Sequence, residues 1–117
     1  MRMKLVSFGQ LDIEGQRYDH DVVIEKGKVR KRRKKASKAY QGDYGHTPLS
    51  AAEEIPWHGK KLYVGTGAYG SLPVMPEVYE EAATQGVEIV AVPTEKMCEL
   101  LKDLQPQDIN AIVHVTC

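Results

Sequence analysis

The sequence predicts an α/β domain closed by a buried C-terminal strand, Ala111–Cys117. Three observations carry that prediction. From residue 60 onward, short apolar runs alternate with segments whose apolar residues recur at helical spacing. Those runs, Val87-Glu-Ile-Val-Ala-Val92 above all, are nearly continuous rather than alternating, as in strands of a sheet that is covered by other elements. Before residue 60, β-branched runs are separated by glycine turns at hairpin spacing.

Taken in order, 6–15 reads as a short hairpin with Phe8, Leu11 and Ile13 apolar and with Gly9 and Gly15 as punctuation. Asp21-Val-Val-Ile-Glu25 is a compact strand, Lys26-Gly27 a turn, and Lys28–Arg33 the returning strand. The polar stretch 36–49, with Gly42, Gly45 and Pro48, reads as a loop. Ser50-Ala-Ala-Glu53 has the capping-box spacing and predicts a short helix stopped by Pro56. Lys61–Val64 is a strand, and Pro76–Gln85 a helix with proline in its first turn and Gly86 beyond its end. After the strand 87–92, Thr94 is expected to cap a helix whose Met97, Leu100, Leu101 and Leu104 share one face. Pro106 stops it, and Ile109–Val115 is the last strand.

A chain of 117 residues fits one domain, 1–117, able to bury roughly two-thirds of its unfolded surface. No apolar run approaches the roughly 20 residues needed to span a bilayer, and 1–7 lacks the apolar region of a signal peptide. A cytoplasmic location and no membrane partner are therefore expected. Net charge is zero, yet 1–39 carries twelve basic and five acidic residues and 40–117 the reverse bias. Such asymmetry suits an anionic partner or a weak homodimer held by complementary charge.

Gly65-Thr66-Gly67-Ala68-Tyr69-Gly70 is a literal G-x-G-x-x-G after a strand. A dinucleotide site requires a helix to open at the third glycine, and here Pro73 and Pro76 hold Leu72 and Met75 out of helical geometry. No cofactor is expected. What survives is a glycine loop at a strand end, where free N–H groups can hold a small anion, set against a turn that merely needs glycine. Nine of the sixteen basic residues fall within 26–38. No aromatic interleaves them before Tyr40, so nucleic acid is disfavoured and a solvated edge strand preferred. His20, His46, His58 and His114 lack metal-site spacing. His114, inside an apolar strand, reads first as a hydrogen-bonded core histidine and second as a catalyst. Cys98 and Cys117 are not expected to pair. A helix 94–104 rises about 15 Å while a strand 109–117 covers about 26 Å. An antiparallel return therefore carries Cys117 well past disulfide reach and brings Thr116-Cys117 toward the glycine loop.

Phe8-Gly9, Gly15 with Tyr18, Asp21–Ile24, Arg32-Arg33, Gly45-His46, Val64–Gly67 with Gly70, Pro93-Thr94 and Ile112-Val-His-Val-Thr-Cys117 form an ordered set spanning nearly the whole chain. In order and spacing it resembles the Mth nine-three-eight-like domain of unknown function, whose relatives include an adipogenesis-associated domain protein and a mitochondrial complex I assembly factor. The resemblance implies a three-layer α/β fold with a mixed sheet, flanking helices and an N-terminal hairpin layer, and no established reaction. Relatives often carry Tyr-Asn where this chain has Leu101-Lys102, so any contact made by those side chains does not transfer. Together these features place an expected ligand site at Gly65, Thr66, Gly67, Gly70, Thr94, His114 and Thr116, with Arg32 or Arg33 lending charge. The expected role is a small binding or assembly-type domain with an anion-tolerant pocket. The alternatives are an enzyme using His114 or Cys117 and a protein-interaction module.

Overall fold

In the computed structural model, which describes Met1–Cys117, apolar strands and amphipathic helices assemble into two sheets. The smaller sheet is the meander β1 (Met3–Ser7), β2 (Gln10–Ile13) and β3 (Gln16–Tyr18). The larger has the order β5-β4-β8-β6-β7, built from β4 (Val22–Glu25), β5 (Lys28–Lys31), β6 (Lys61–Thr66), β7 (Glu88–Val92) and β8 (Asn110–His114). It is mixed: β8 runs antiparallel to β4 and parallel to β6, and β6 runs parallel to β7. Helix α2 (Pro76–Gln85) joins β6 to β7, and α3 (Thr94–Leu101) joins β7 to β8.

The period-2 geometry of a strand sends successive side chains to opposite faces, so a near-continuous apolar strand feeds two cores. Val22, Ile24, Tyr63, Ala111 and Val113 pack with Leu5, Leu11 and Ile13 of the meander and with Met97 and Leu101 of α3. Val23, Leu62, Val64 and Ile112 face the other way, onto Leu49, Leu72, Met75 and Val78. The result is a three-layer α/β domain with an N-terminal meander layer.

Several local expectations are corrected. The hairpin at 6–15 gains a third strand, because Glu14 and Gly15, at φ +50° and +86°, make a tight two-residue turn rather than ending the sheet. The stretch 36–49 is partly helical: a 3₁₀ turn over Lys35–Tyr40 runs into α1 (Gln41–Tyr44). Gly45 is the left-handed stop of α1, not loop punctuation. Ser50–Glu53 forms only a turn, since both side chains are drawn inward to other partners. Thr94 is the first helical residue of α3 and does not cap it, because its hydroxyl is used elsewhere. The strand Lys28–Arg33 lies at a sheet edge as expected, but Arg32 is buried at its end rather than solvated.

Gly65 lies under α3. A Cβ added there would stand 2.9 Å from Thr94 Oγ1 and 3.1 Å from Met97 Sδ. Gly65→Ala is therefore expected to cost about 1–3 kcal/mol through overpacking, read as a lower urea midpoint. Gly42→Ala, where a Cβ meets nothing within 4 Å, is expected to leave the midpoint unchanged or raise it slightly.

Candidate functional site

At the end of β8 a set of polar side chains is enclosed and fully partnered. Arg32, with no side-chain exposure, is gripped by two carboxylates. Its Nε and Nη2 donate to the two oxygens of Glu53 at 2.9 and 2.8 Å, and Nη2 also donates to the Pro48 carbonyl at 3.1 Å. Nη1 donates to Asp21 Oδ2 at 2.9 Å. Ser37 donates to Glu53 and lies 2.6 Å from Ser50 Oγ. This planar, forked recognition of a carboxylate is specific to arginine.

Asp21 continues the network into β8. Its Oδ1 accepts the Val115 N–H at 2.9 Å, and its Oδ2 lies 2.8 Å from His114 Nδ1. The far ring nitrogen of His114, Nε2, is 3.3 Å from Thr116 Oγ1. Burial pushes the Asp21 carboxyl up. It is outweighed by the hydrogen bond and charge of His114, the Val115 N–H and the charge of Arg32, which together hold Asp21 down at about 2. The geometry is that of a histidine fixed at one nitrogen by a carboxylate and facing a hydroxyl with the other, a quarter-exposed at most: its side chain retains 12% of its accessible surface.

The His114 carbonyl leads on to the glycine loop. Thr94 donates to it at 2.6 Å and accepts the Gly67 N–H at 2.9 Å. Beyond Gly67 the loop closes on the chain itself. Ala68 N–H donates to the Thr116 carbonyl, and Tyr69 and Ser71 N–H both donate to Cys117. Gly70 and Leu72 N–H return to Gly67 and Thr66. Gly67 has φ +106°, and a Cβ there would overlap the Cys117 backbone. The glycines thus admit the segment Thr116–Cys117, and the N–H groups expected to hold an anion hold that segment.

The structure brings Gly65, Thr66, Gly67, Gly70, Thr94, His114 and Thr116 together. Arg32 stands one step behind them through Asp21, with its charge met by two carboxylates instead of offered to a ligand. Arg33 lies apart, lining a shallow cavity with Lys35 and Glu54. Four cavities, of about 610, 490, 440 and 340 Å³, include none of the loop residues or His114. Asp21, Glu53, Ser37 and Ser50 were missed as partners of the site. The Ser50–Glu53 spacing was a signal, read as a helix start, and Asp21 opening an apolar strand was another. Cys98 and Cys117 are both free thiols. Burial pushes Cys98 up to about 11, with Glu95 and Glu99 adding to the rise.

The fold recurs in a protein of known structure, a conserved hypothetical protein, PH1505, from Pyrococcus horikoshii OT3. It is 31% identical, with a TM-score of 0.75, over 100% of both chains. A second solved structure, MT938, shares the fold with a TM-score of 0.51 and 21% identity, over 99% of this chain and 98% of its own. The chain belongs to the Mth nine-three-eight-like family. The members matched here are hypothetical or uncharacterised proteins, so membership brings a fold and no reaction. No protein-family model matches the chain, and no curated protein matches it. No helix is long and apolar enough to cross a membrane.

Two outcomes follow from this site. Asp21 falls from an ordinary 3.8 to about 2 on folding, so its ionised form favours the folded state. That contribution, about 2 kcal/mol, is complete above roughly pH 5 and lost as the pH falls toward 2. Asp21→Asn is expected to remove it: the stability gap between the two proteins, measured by denaturant titration, narrows steadily over that range. In thiol titration with a disulfide reagent, the partly exposed Cys117 is expected to react in the folded protein and Cys98 only after unfolding.

Proposed function

We propose that the chain is a binding or assembly-type domain whose recognition surface is the β8 end, where two exposed aromatic rings meet beside the Val115–Cys117 segment. Phe8 and Tyr69 keep 52% and 75% of their surface, with ring centroids 5.8 Å apart. That pair carries the reading. Exposed aromatics close to one another are the commonest anchors of protein interfaces, each offering large contact area at small entropic cost.

The backbone at or beside each ring is tied to the same segment: Gly9 N–H donates to the Val115 carbonyl, and Tyr69 N–H to Cys117. The surface is therefore preorganised, which lowers the entropic cost of binding. The anion-tolerant pocket becomes a conditional part of this reading. A small anion reaches the loop N–H groups only where Thr116–Cys117 gives way. The partner is a protein or peptide with an apolar or aromatic contact.

A second reading, catalysis, is favoured by one observation, the Asp21–His114–Thr116 alignment at 2.8 and 3.3 Å. Its order is that of a carboxylate orienting a base toward a hydroxyl. Against it stand the Arg32 charge on Asp21 and the absence of any free N–H in the loop for a developing oxyanion.

Chemical-shift mapping with short aromatic peptides, phosphate and acetate decides between these. Peptides are expected to move the amides of Gly9, Tyr69 and Thr116, and Phe8→Ser/Tyr69→Ser is expected to abolish the effect without altering the melting temperature. Peptide binding unaffected by the double variant, or no peptide binding at all, overturns the aromatic surface. Labelling of Thr116 by a fluorophosphonate, lost in His114→Ala, would instead establish the enzyme.

A further inference from the structure

The five-stranded sheet has two edges, and the chain treats them differently. One edge is β5, Lys28-Val-Arg-Lys31, whose lysines and arginine discourage pairing with another chain. The other edge is β7, Glu88-Ile-Val-Ala-Val92, with no lysine, arginine or proline. An edge whose last four residues are all apolar is a template for another strand.

The register of β7 shows what it offers. Glu88 N–H donates to the Lys60 carbonyl, and Glu88, Val90 and Val92 are opposite Lys61, Tyr63 and Gly65 of β6. In a parallel ladder every second residue turns both its backbone groups to the neighbour. Glu88, Val90 and Val92 thus bond β6, and the N–H and C=O groups of Ile89 and Ala91 point outward. Ala91 is exposed and Ile89 partly so, and no strand of the chain pairs with β7 on that side.

We infer that β7 pairs with β7 of a second copy, antiparallel and two-fold symmetric about Val90. In this register Ile89 of each chain is opposite Ala91 of the other. The two residues with outward groups then exchange hydrogen bonds with each other, four bonds in all, and Val90 faces its own copy across the axis. A strand with one outward-bonding residue on each side of its centre is self-complementary in this way. Charge is compatible as well. Glu88 falls opposite Val92, and the two Glu88 residues are four positions apart along the pairing. That is roughly 13 Å at strand spacing, beyond the screening length of about 8 Å at physiological salt. Apolar side chains flank the seam on both faces, with Val90 and Val92 packed on the meander-side core and Ile89 on the α2 side. The product is a continuous ten-stranded sheet, with the β8 ends of the two copies free.

Sedimentation equilibrium from micromolar to millimolar protein, with hydrogen exchange measured at both ends of that range, tests the pairing. The expected result is a monomer–dimer equilibrium that added salt does not dissolve. The Ile89 and Ala91 amides gain protection only in the dimer, and the Val90 amide, already bonded to β6, does not change. Ala91→Pro removes one donor from each chain and is tolerated on an edge strand. It is expected to weaken dimerisation at least about tenfold while preserving the circular dichroism spectrum. Ala91→Lys, which restores the donor but brings charge to the seam, is expected to weaken it as well and guards against a folding defect in the proline variant. A protein that stays monomeric with Ile89 and Ala91 unprotected overturns the inference and leaves the edge for a strand of another protein. A dimer that dissolves in salt, or that survives both substitutions, also overturns it and points to charge-driven association elsewhere.

Discussion

Arg32 organises the end of the sheet where the candidate site lies. A guanidinium without solvent contact must have its donors met inside the protein, and the chain meets them from two separate segments: Asp21 just before β4, and Pro48 with Glu53 in the connection before β6. No buried side-chain nitrogen or oxygen is left without a partner. Replacing one partner of such a cluster leaves an uncompensated charge, so its members act as a unit. The segment 37–53, which lies outside both sheets, is pinned through Ser37 and Glu53 to this one cation. From Asp21 the same network fixes Val115 and His114, then passes through Thr94 to Gly67. The position of α3 and of the glycine loop is in this sense set by a charge buried on the far side of β8.

The glycine loop shows how one motif serves two different ends. In a dinucleotide site, glycines let a backbone approach a pyrophosphate. Here they let the backbone of Gly67 approach that of Thr116 and Cys117. The donors, the positive φ and the close approach are alike, and the occupant is part of the chain. An internal occupant of this kind ties the glycine loop to the C-terminal end of β8.

Much of the architecture was legible because it depends on local pattern. Apolar runs with strand periodicity, proline at the start of α2, Gly86 at its end and the shared face of Met97 and Leu101 each express their geometry within a few residues. The arrival of Thr116-Cys117 at the glycine loop was legible from lengths alone. What was not legible depends on distant pairing. Ser50 and Glu53 have the spacing of a helix start, and only the presence of Arg32, eighteen or more positions earlier, turns them into a turn that binds a cation. Likewise a basic run looks uniformly solvated, and nothing local marks Arg32 as the member that turns inward. The loop glycines announced a site but not whether its guest was foreign or internal.

The placement of β8 has a consequence for how the molecule is made. It is the last strand in sequence and the central one in space, between β4 and β6. The β4–β5 hairpin and the β6–α2–β7 unit share no strand pairing until β8 joins them. Sheet formation therefore waits on contacts between residues about ninety positions apart, such as Val22 with Val113. Topology of this kind slows folding relative to a chain of local contacts. During synthesis the first strands stand with one flank unsatisfied, and in that interval a chaperone or a neighbouring chain competes for the place that β8 later takes.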